Sequence, residues 1–276
     1  MCGIGGYFLC PGGGAPADTL DRMERALAHR GPDGSGRYTD RHVGFIHTRL
    51  SIVDLANGAQ PFIAPGEDGG QVLVANGEIY NHAALRQSQC AGYDFTSNSD
   101  CETLLALWAR HGHAALTHLR GMYAAALYDP ASGEGLLIRD PFGIKPLYIC
   151  ETADGLFFAS EIAALRAIGL ADTATDRAAP DPLHAACIID RQFTPDDLPA
   201  FPAIRRVAPG TMFVIRGGRI AETLVDAPLE TGAPANSTAT EDGFRDQLHD
   251  SVAAHLMADV PLGLFFSGGV DSSAIL

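Results

Sequence analysis

Short apolar segments joined by tight turns recur along most of the chain, and they constrain its fold more than any other feature. Met122 to Leu127 and Gly135 to Ile138 predict a β-hairpin around Asp129-Pro130, and Pro146 to Ile149 with Leu156 to Ala159 predict another. Helical patterns flank these hairpins. Because a hairpin pairs neighbouring strands in antiparallel fashion, the sequence predicts antiparallel sheets covered by helices rather than a parallel sheet of βαβ units.

Other segments continue this mixture of strands and helices. Further strands are predicted at Val43 to Ile46, Leu50 to Asp54, Gln71 to Ala75 and Leu262 to Phe266, and a third strand pair at Met212 to Ile215 with Arg219 to Thr223. Helices are predicted at residues 16–30, just after Asn81, and at 102–112, 160–168 and 241–257. Ser99-Asp100-Cys101-Glu102 has the form of a capping box. The expected organisation is a domain over residues 1–225, a linker over 226–240 and the start of a second domain over 241–276. Residues 170–205 show no local motif.

The composition excludes several classes of protein. A net charge of −14 argues against nucleic acid as a partner, and no apolar run approaches the roughly 18–20 residues that a membrane span needs. The start of the chain lacks the basic flank and apolar core of a signal peptide, so we expect a cytoplasmic protein whose six cysteines are reduced. Neither a CxxC pair nor an HExxH segment occurs, and no metal site is predicted.

Cys2 follows the initiator methionine and is the candidate nucleophile. Removal of Met1 would leave a thiol and an α-amine on one residue, with ordinary pKa values near ~8.5 and ~7.7–8.0. The amine can then accept the thiol proton, as covalent catalysis requires of a neighbouring base. Gly3, Gly5 and Gly6 would let a substrate approach the backbone closely. The alternative is that Cys2 is an ordinary buried thiol on a first strand.

Asn76-Gly77 is suited to an oxyanion site. A side-chain amide and an unhindered backbone N–H could both donate to a developing alkoxide, and such donors contribute a factor of about 10²–10³ in rate. Without Cys2, an Asn-Gly pair would be read simply as a turn.

Charged residues form a second constellation suited to a free amino acid. Arg49 can bind a carboxylate through two hydrogen bonds, and Glu78 and Asp100 can accept from an α-ammonium group. Each has an alternative: Arg49 as a surface residue, and Asp100 as a carboxylate that favours the dipole at the start of a helix.

A glycine-rich turn near the last residues has the ingredients of a phosphate site. The apolar run Leu262 to Phe266 is followed by two adjacent glycines that are framed by serines. The backbone N–H groups freed by the glycines, and the start of the helix that follows, favour the binding of an anion. No lysine follows the glycines, so the pattern differs from a Walker motif. The candidate nucleotide-binding residues are Phe266, Ser267, Gly268, Gly269, Asp271, Ser272 and Ser273. A plain glycine turn is the alternative.

Seven motifs in order give the chain a close resemblance to the glutamine-hydrolysing asparagine synthetase family. They are Met1-Cys2-Gly3-Ile4, Arg30-Gly31-Pro32-Asp33-Gly34, Arg49 to Asp54, Asn76 to Asn81, Ser99 to Glu102, Arg139 to Tyr148 and Ser267 to Ser273. The resemblance covers nearly the whole chain.

The resemblance implies both a fold and residue roles. The fold would be α+β, a four-layer αββα sandwich of the N-terminal-nucleophile hydrolase type, followed by the first elements of an α/β nucleotide-binding domain. Cys2 would be the nucleophile, and Asn76 and Gly77 the oxyanion donors. Glutamine would be held by Arg49, Leu50, Ile52, Val53, Asn76, Gly77, Glu78 and Asp100.

The family's second domain uses ATP and Mg²⁺ to activate a carboxylate, with aspartate as the expected acceptor of ammonia. The sequence stops soon after Ser273, so we expect the glutaminase part to be complete and the synthetase part truncated. The glutaminase step needs no cofactor, and a homodimer is one option for assembly. Two rival functions stay open: an amidotransferase for another carboxylate acceptor, and a truncated module that binds glutamine without turnover.

Overall fold

A computed structural model describes residues 1–64, 70–170, 181–195, 198–225 and 240–276. The strands are β1 (Gly3–Leu9), β2 (Gly34–Thr39), β3 (Val43–Arg49), β4 (Phe62–Ile63), β5 (Val72–Ile79), β6 (Gly121–Asp129), β7 (Glu134–Arg139), β8 (Tyr148–Glu151), β9 (Gly155–Ala159), β10 (Arg205–Arg206), β11 (Thr211–Arg216) and β12 (Arg219–Val225). The helices are α1 (Thr19–Leu27), α2 (His82–Ser88), α3 (Glu102–His111), α4 (Ile162–Ala167), α5 (Pro182–Arg191), α6 (Glu241–His255) and α7 (Val270–Ile275), with 3₁₀ segments at Ala28–Arg30 and Gly112–His118. The predicted linker lies, except for Thr240, outside the described residues.

The strands form two antiparallel sheets of six strands each. Their orders are β10-β8-β9-β1-β3-β2 and β12-β11-β7-β6-β5-β4. The hairpins predicted at β6–β7, β8–β9 and β11–β12 are confirmed. Strand β1 lies inside the first sheet between β9 and β3. This central position makes the segment after Cys2 one of the most constrained in the domain.

Apolar side chains divide the protein into four layers. One buried cluster fills the space between the sheets, with Ile4 and Phe45 from the first sheet packed among Val74 and Phe213 from the second. A second cluster joins α2 and α3 to the outer face of one sheet, and a third joins α1 and α4 to the outer face of the other. The predicted four-layer αββα sandwich is therefore confirmed.

Helix α1 shows how the sequence pattern specifies this packing. Leu20, Met23 and Leu27 recur at helical spacing, and all three are buried against the first sheet. The helical face predicted from their spacing is confirmed, and the helix continues into a 3₁₀ turn before Gly31.

Several local predictions were wrong. Leu50 to Asp54 is a loop, because its backbone groups bond to side chains and to distant segments instead of a neighbouring strand. Leu262 to Phe266 has no regular secondary structure and pairs with no strand among the described residues. The expected capping box at Ser99 is absent, because the Glu102 carboxylate accepts from Thr96 and Ser97 instead.

Several elements were not predicted, among them β4 and β10. Strand β2, also not predicted, pairs with β3, and α5 lies in the segment without a recognised motif. Helix α5 begins at Pro182, and the Asp181 side chain accepts hydrogen bonds from the N–H groups of Leu183 and His184.

The C-terminal segment, residues 240–276, lies against the first domain through a few polar contacts. Helix α6 buries none of its residues, and residues 261–271 are exposed. Asp259 bonds to the backbone of the loop after β3, and Arg120 pairs with Asp250. Among the helices described here, none combines the length and apolarity needed to cross a membrane.

Candidate active site

A cavity of about 360 Å³ lies where β1, β3 and β5 present their polar residues. Every residue predicted for the glutaminase site lines it: Cys2, Arg49, Leu50, Ile52, Val53, Asn76, Gly77, Glu78 and Asp100. These residues come from four separate parts of the sequence, and the fold brings them to one place. Their individual roles stay predictions.

Cys2 is fixed at the start of β1 by backbone and side-chain contacts. Its Sγ accepts a hydrogen bond from the Leu50 N–H at 3.4 Å and lies 3.5 Å from the Leu50 carbonyl oxygen. The Arg30 Nε donates to the Cys2 carbonyl at 2.9 Å, and Arg30 also pairs with Glu161 at 2.7 Å. Arg30 is a positioning residue that we did not predict, although it opens one of the resemblance motifs.

Burial controls the ionisation of this end of the chain. Desolvation raises the pKa of the Cys2 thiol, while the hydrogen bond from Leu50 opposes that shift. The pKa of the Met1 α-amino group is lowered by burial. This amine belongs to Met1, so it is not the α-amine of Cys2 that would be exposed by removal of Met1.

Asn76 and Gly77 lie within β5, where they pair with Ala124 and Tyr123 of β6. The Asn76 side chain is 1% exposed, and its Nδ2 has no hydrogen-bond partner within the part of the chain that the structure describes. An unsatisfied buried donor is costly, so one that lines a cavity is suited to a ligand oxygen. Strand pairing also shows that this Asn-Gly pair is not a turn.

Gly77 tolerates no side chain. A Cβ atom at this position would lie 2.4 Å from the Met122 carbonyl oxygen and 2.7 Å from the Tyr123 Cα. Glycine is therefore required by the close approach of β6, and Gly77 also lines the cavity.

The charged residues of the cavity are held in different ways. The Arg49 guanidinium donates to the carbonyl groups of Val53, Asp54 and Leu55, so it is fixed by the loop that follows its own strand. Asp100 is buried, and its Oδ2 accepts from the Ile79 N–H at 2.6 Å. Burial raises the pKa of both Asp100 and Glu78.

Two residues that we did not predict shape the loop before Asp100. The Glu102 carboxylate accepts four hydrogen bonds from the N–H and hydroxyl groups of Thr96 and Ser97. Arg86 donates to the carbonyls of Ser97 and Ser99. The sequence signal for Glu102 was present, but it was assigned to the wrong partner.

His47 also lines the cavity and was not predicted. It is 1% exposed, and among the described residues its ring nitrogens make no hydrogen bond of normal geometry, although the Ala75 backbone lies close enough to oppose the fall in its pKa. Burial lowers its pKa to about 4, so the ring is neutral near pH 7. A polar residue amid the inward-facing apolar residues of β3 is the signal that could have identified it.

The candidate phosphate loop is separate from this cavity. Gly268 has a φ of +76°, and Gly269 precedes α7. The hydroxyls of Ser272 and Ser273 bond to the Gly269 carbonyl, while Ser267 Oγ accepts from the Gly269 N–H. The turn conformation and its exposure suit a phosphate, although the hydroxyls now bond within the loop. The described residues contain no group of three or more His, Cys, Asp and Glu side chains that could hold a metal ion.

Two family models match the chain. One, described as a glutamine amidotransferase domain, covers residues 1–224, and the other, described as asparagine synthase, covers residues 243–276.

Curated relatives match over the whole chain. The chain is 36% identical to asparagine synthetase [glutamine-hydrolyzing] 1 of Bacillus subtilis and covers 43% of that protein. It is also 36% identical to asparagine synthetase B of Escherichia coli, with 44% covered, and 33% identical to the amidase chry2 of Gibberella zeae, with 42% covered. In each case all of this chain is aligned. The chain therefore spans less than half the length of these relatives.

Solved structures agree on the fold. A glutamine phosphoribosylpyrophosphate amidotransferase from B. subtilis matches 82% of this chain and 49% of its own, with a TM-score of 0.58 at 21% identity. An allosteric regulatory enzyme of purine biosynthesis matches all of this chain and 62% of its own, also with a TM-score of 0.58, at 19% identity. With a family model that matches residues 1–224 and a sandwich of the same architecture, the chain belongs to the glutamine amidotransferase domain family.

Proposed function

We propose that the chain hydrolyses glutamine to glutamate and ammonia through a thioester on Cys2. The observation that carries this proposal is the shared cavity, in which the Cys2 thiol lies with Arg49, Glu78, Asp100 and the buried Asn76 amide, whose Nδ2 has no partner among the described residues. A nucleophile, an oxyanion donor and groups for both charged ends of an amino acid are thus present together.

In the first half of the reaction, after Met1 is removed, the α-amine of Cys2 takes the thiol proton and Sγ attacks the side-chain amide carbon of glutamine. The carbonyl oxygen becomes an oxyanion held by the Asn76 side chain and the Gly77 N–H. The protonated amine then gives its proton to the amide nitrogen. The C–N bond breaks, ammonia leaves and a thioester remains.

The second half regenerates the enzyme. The free amine takes a proton from water, whose oxygen attacks the thioester carbon, and the same donors hold the second oxyanion. The C–S bond breaks, the thiolate recovers its proton, and glutamate is released. Throughout, Arg49 would hold the α-carboxylate, and Glu78 and Asp100 the α-ammonium group. The side chains of Ile52 and Val53 line the cavity beside Arg49 and would contact the substrate.

The test is glutamate release by the purified chain and by a Cys2→Ala variant. We expect turnover by the parent chain and none by the variant, with the same circular dichroism spectrum. Cys187→Ala is the matched control, because Cys187 is a free thiol on α5 outside the cavity. A Cys2→Ala variant that kept normal turnover would overturn the mechanism. Glutamine binding by a parent chain without turnover would favour the non-catalytic module.

For the full-length protein we propose that the ammonia amidates aspartate at the expense of ATP, in the cytoplasm. Support comes from the asparagine synthase match over residues 243–276 and from the names of two relatives. The exposed turn Ser267 to Ser273 would contact the phosphates, and bound ATP and Mg²⁺ would supply carboxylate activation. A homodimer is a further proposal.

Pyrophosphate release that depends on aspartate would test the acceptor. The alternative is a different carboxylate acceptor, and one relative indeed has a name other than asparagine synthetase, an amidase.

A further inference from the structure

Asp259, in the C-terminal segment, makes two hydrogen bonds to the loop that follows β3. Its backbone N–H donates to the Ile52 carbonyl at 2.9 Å, and its Oδ2 accepts from the Asp54 N–H at 2.7 Å. Asp259 therefore satisfies two main-chain groups of this loop, and two residues of the same loop, Ile52 and Val53, line the cavity.

This loop, residues 50–58, depends on distant partners for its conformation. It belongs to no strand, and Asp54 has a φ of +48°, a left-handed conformation that is unfavourable for a residue other than glycine. Such a conformation persists only where surrounding contacts hold it. One hydrogen bond with Asp259 is made by the N–H of this strained residue, and the other is made by the carbonyl of Ile52, two residues before it.

The Arg49 side chain depends on the same loop. Its guanidinium donates to the Val53 carbonyl at 3.4 Å and to the Asp54 carbonyl at 2.6 Å. A displacement of the loop would therefore displace the cation proposed to bind the substrate carboxylate.

Asp54 extends the connection to the other end of the substrate site. Its Oδ2 accepts from the Asn98 N–H at 2.7 Å, and its Oδ1 accepts from the Asn57 N–H at 3.1 Å. Asn98 lies two residues before Asp100, so the loop that fixes Arg49 and the loop that carries Asp100 meet at Asp54.

We propose that Asp259 is a positioning residue through which the C-terminal segment sets the affinity of the cavity for glutamine. This inference rests on the proposed function. Because Asp259 touches the loop and does not line the cavity, its loss acts on substrate binding and leaves the chemistry at Cys2 intact. The contact also makes the coupling reciprocal: glutamine binding should favour docking of the C-terminal segment.

The chain offers a matched control in Asp250. It is also in the C-terminal segment and pairs with Arg120 at 2.6 Å, but it does not touch residues 50–58. Both partners are exposed, and ion pairs of this kind contribute little. Asp250→Ala thus removes a contact between the same two parts of the chain without altering the loop.

The first readout is glutaminase kinetics. For Asp259→Ala we expect the KM for glutamine to rise about five- to tenfold, as for a typical coupling between sites, with kcat within about twofold of the parent. Asp259→Asn retains an oxygen that can accept from Asp54 and should restore most of the affinity. Asp250→Ala should match the parent. An unchanged KM in Asp259→Ala, or an equal rise in Asp250→Ala, would overturn the proposal.

The second readout is amide hydrogen exchange without glutamine. Asp259→Ala should accelerate exchange in peptides that contain residues 50–58, whereas Asp250→Ala should not. Unchanged exchange would overturn the proposal whether or not the parent chain hydrolyses glutamine. If Asp259→Ala accelerates exchange but the parent chain has no glutaminase activity, the role of Asp259 in positioning the loop is supported and the proposed function is contradicted.

Discussion

The Asp100 carboxylate accepts a hydrogen bond from the Ile79 N–H at 2.6 Å, and this contact ties the loop before α3 to the end of β5. The same strand carries Asn76 and Gly77. Asp100 therefore links the proposed ammonium site to the proposed oxyanion site through a single hydrogen bond. Asp100 thus has a structural role beside the binding role that we propose for it.

Replacing Asp100 by asparagine should separate these two roles. The amide oxygen can still accept from Ile79, but the negative charge is lost. Hydrogen bonds to charged groups contribute about 1.5–3 kcal/mol, so we expect the KM for glutamine to rise roughly 10- to 100-fold. Steady-state kinetics and a melting temperature within about 3 °C of the parent would check this. Asp94→Asn, outside the cavity, should change neither value.

The raised pKa values of Asp100 and Glu78 predict the direction of a pH effect on binding. A raised carboxyl pKa means that the charged form is lost at a higher pH than for an ordinary Asp or Glu. As the pH falls through these values, the KM for glutamine should therefore increase. The KM of Asp100→Asn should depend less on pH than that of the parent chain. A KM that is independent of pH in the parent chain would contradict the proposed binding of the ammonium group by these two carboxylates.

Asn76→Ala should affect the transition state more than the ground state. It removes the buried Nδ2 donor that has no partner within the described residues. We expect kcat to fall by about 10²–10³, with KM changed less than about threefold. A loss expressed only in KM would assign Asn76 to substrate binding instead of oxyanion stabilisation.

Gly77→Ala should be destabilising, because the added methyl group would meet the backbone of β6 at 2.4 Å. Overpacking of this kind costs about 1–3 kcal/mol in the free energy of unfolding. Gly34→Ala is a matched control at the start of a strand, where an added Cβ has no atom within 4 Å. Urea unfolding should show a lower midpoint for Gly77→Ala alone.

His47 should make stability depend on pH. Its pKa of about 4 in the folded chain lies below the ordinary value of 6.5, so the unfolded chain binds a proton that the native chain does not. The contribution is fully present above about pH 6.5 and is lost as the pH falls toward 4, by about 3 kcal/mol in all. Urea unfolding at several pH values should show this loss in the parent relative to His47→Gln. If the free energy of unfolding changed with pH by the same amount in the parent and in His47→Gln, the prediction would be wrong.

Short-range patterns predicted the parts of the fold that short-range physics determines. The three hairpins and the buried face of α1 depend on residues close in sequence, and all four are present. The segment Leu50 to Asp54 has strand-like composition, but its conformation is set by hydrogen bonds to Cys2, Asp33 and Asp259. These partners are distant in the sequence, so a pattern read from neighbouring residues cannot indicate them.

The candidate site divides in a similar way. Cys2, Asn76 and Arg49 carry recognisable chemistry, so their types and order in the sequence were enough to select them, and the fold places them in one cavity. Arg30, Arg86 and His47 act through burial and through contacts with distant backbone groups. Such roles follow from tertiary packing, and the sequence marks the residues without indicating what they contact.

Met1 lines the same cavity as Cys2, although more than half of its surface is exposed. A purification tag fused upstream would extend from a residue that lines this cavity, and it would keep the α-amine of Cys2 in a peptide bond. Under the proposed mechanism, competence for turnover would thus be conferred by an aminopeptidase during synthesis, once and irreversibly. Recombinant protein intended for assays should accordingly carry its tag at the opposite end.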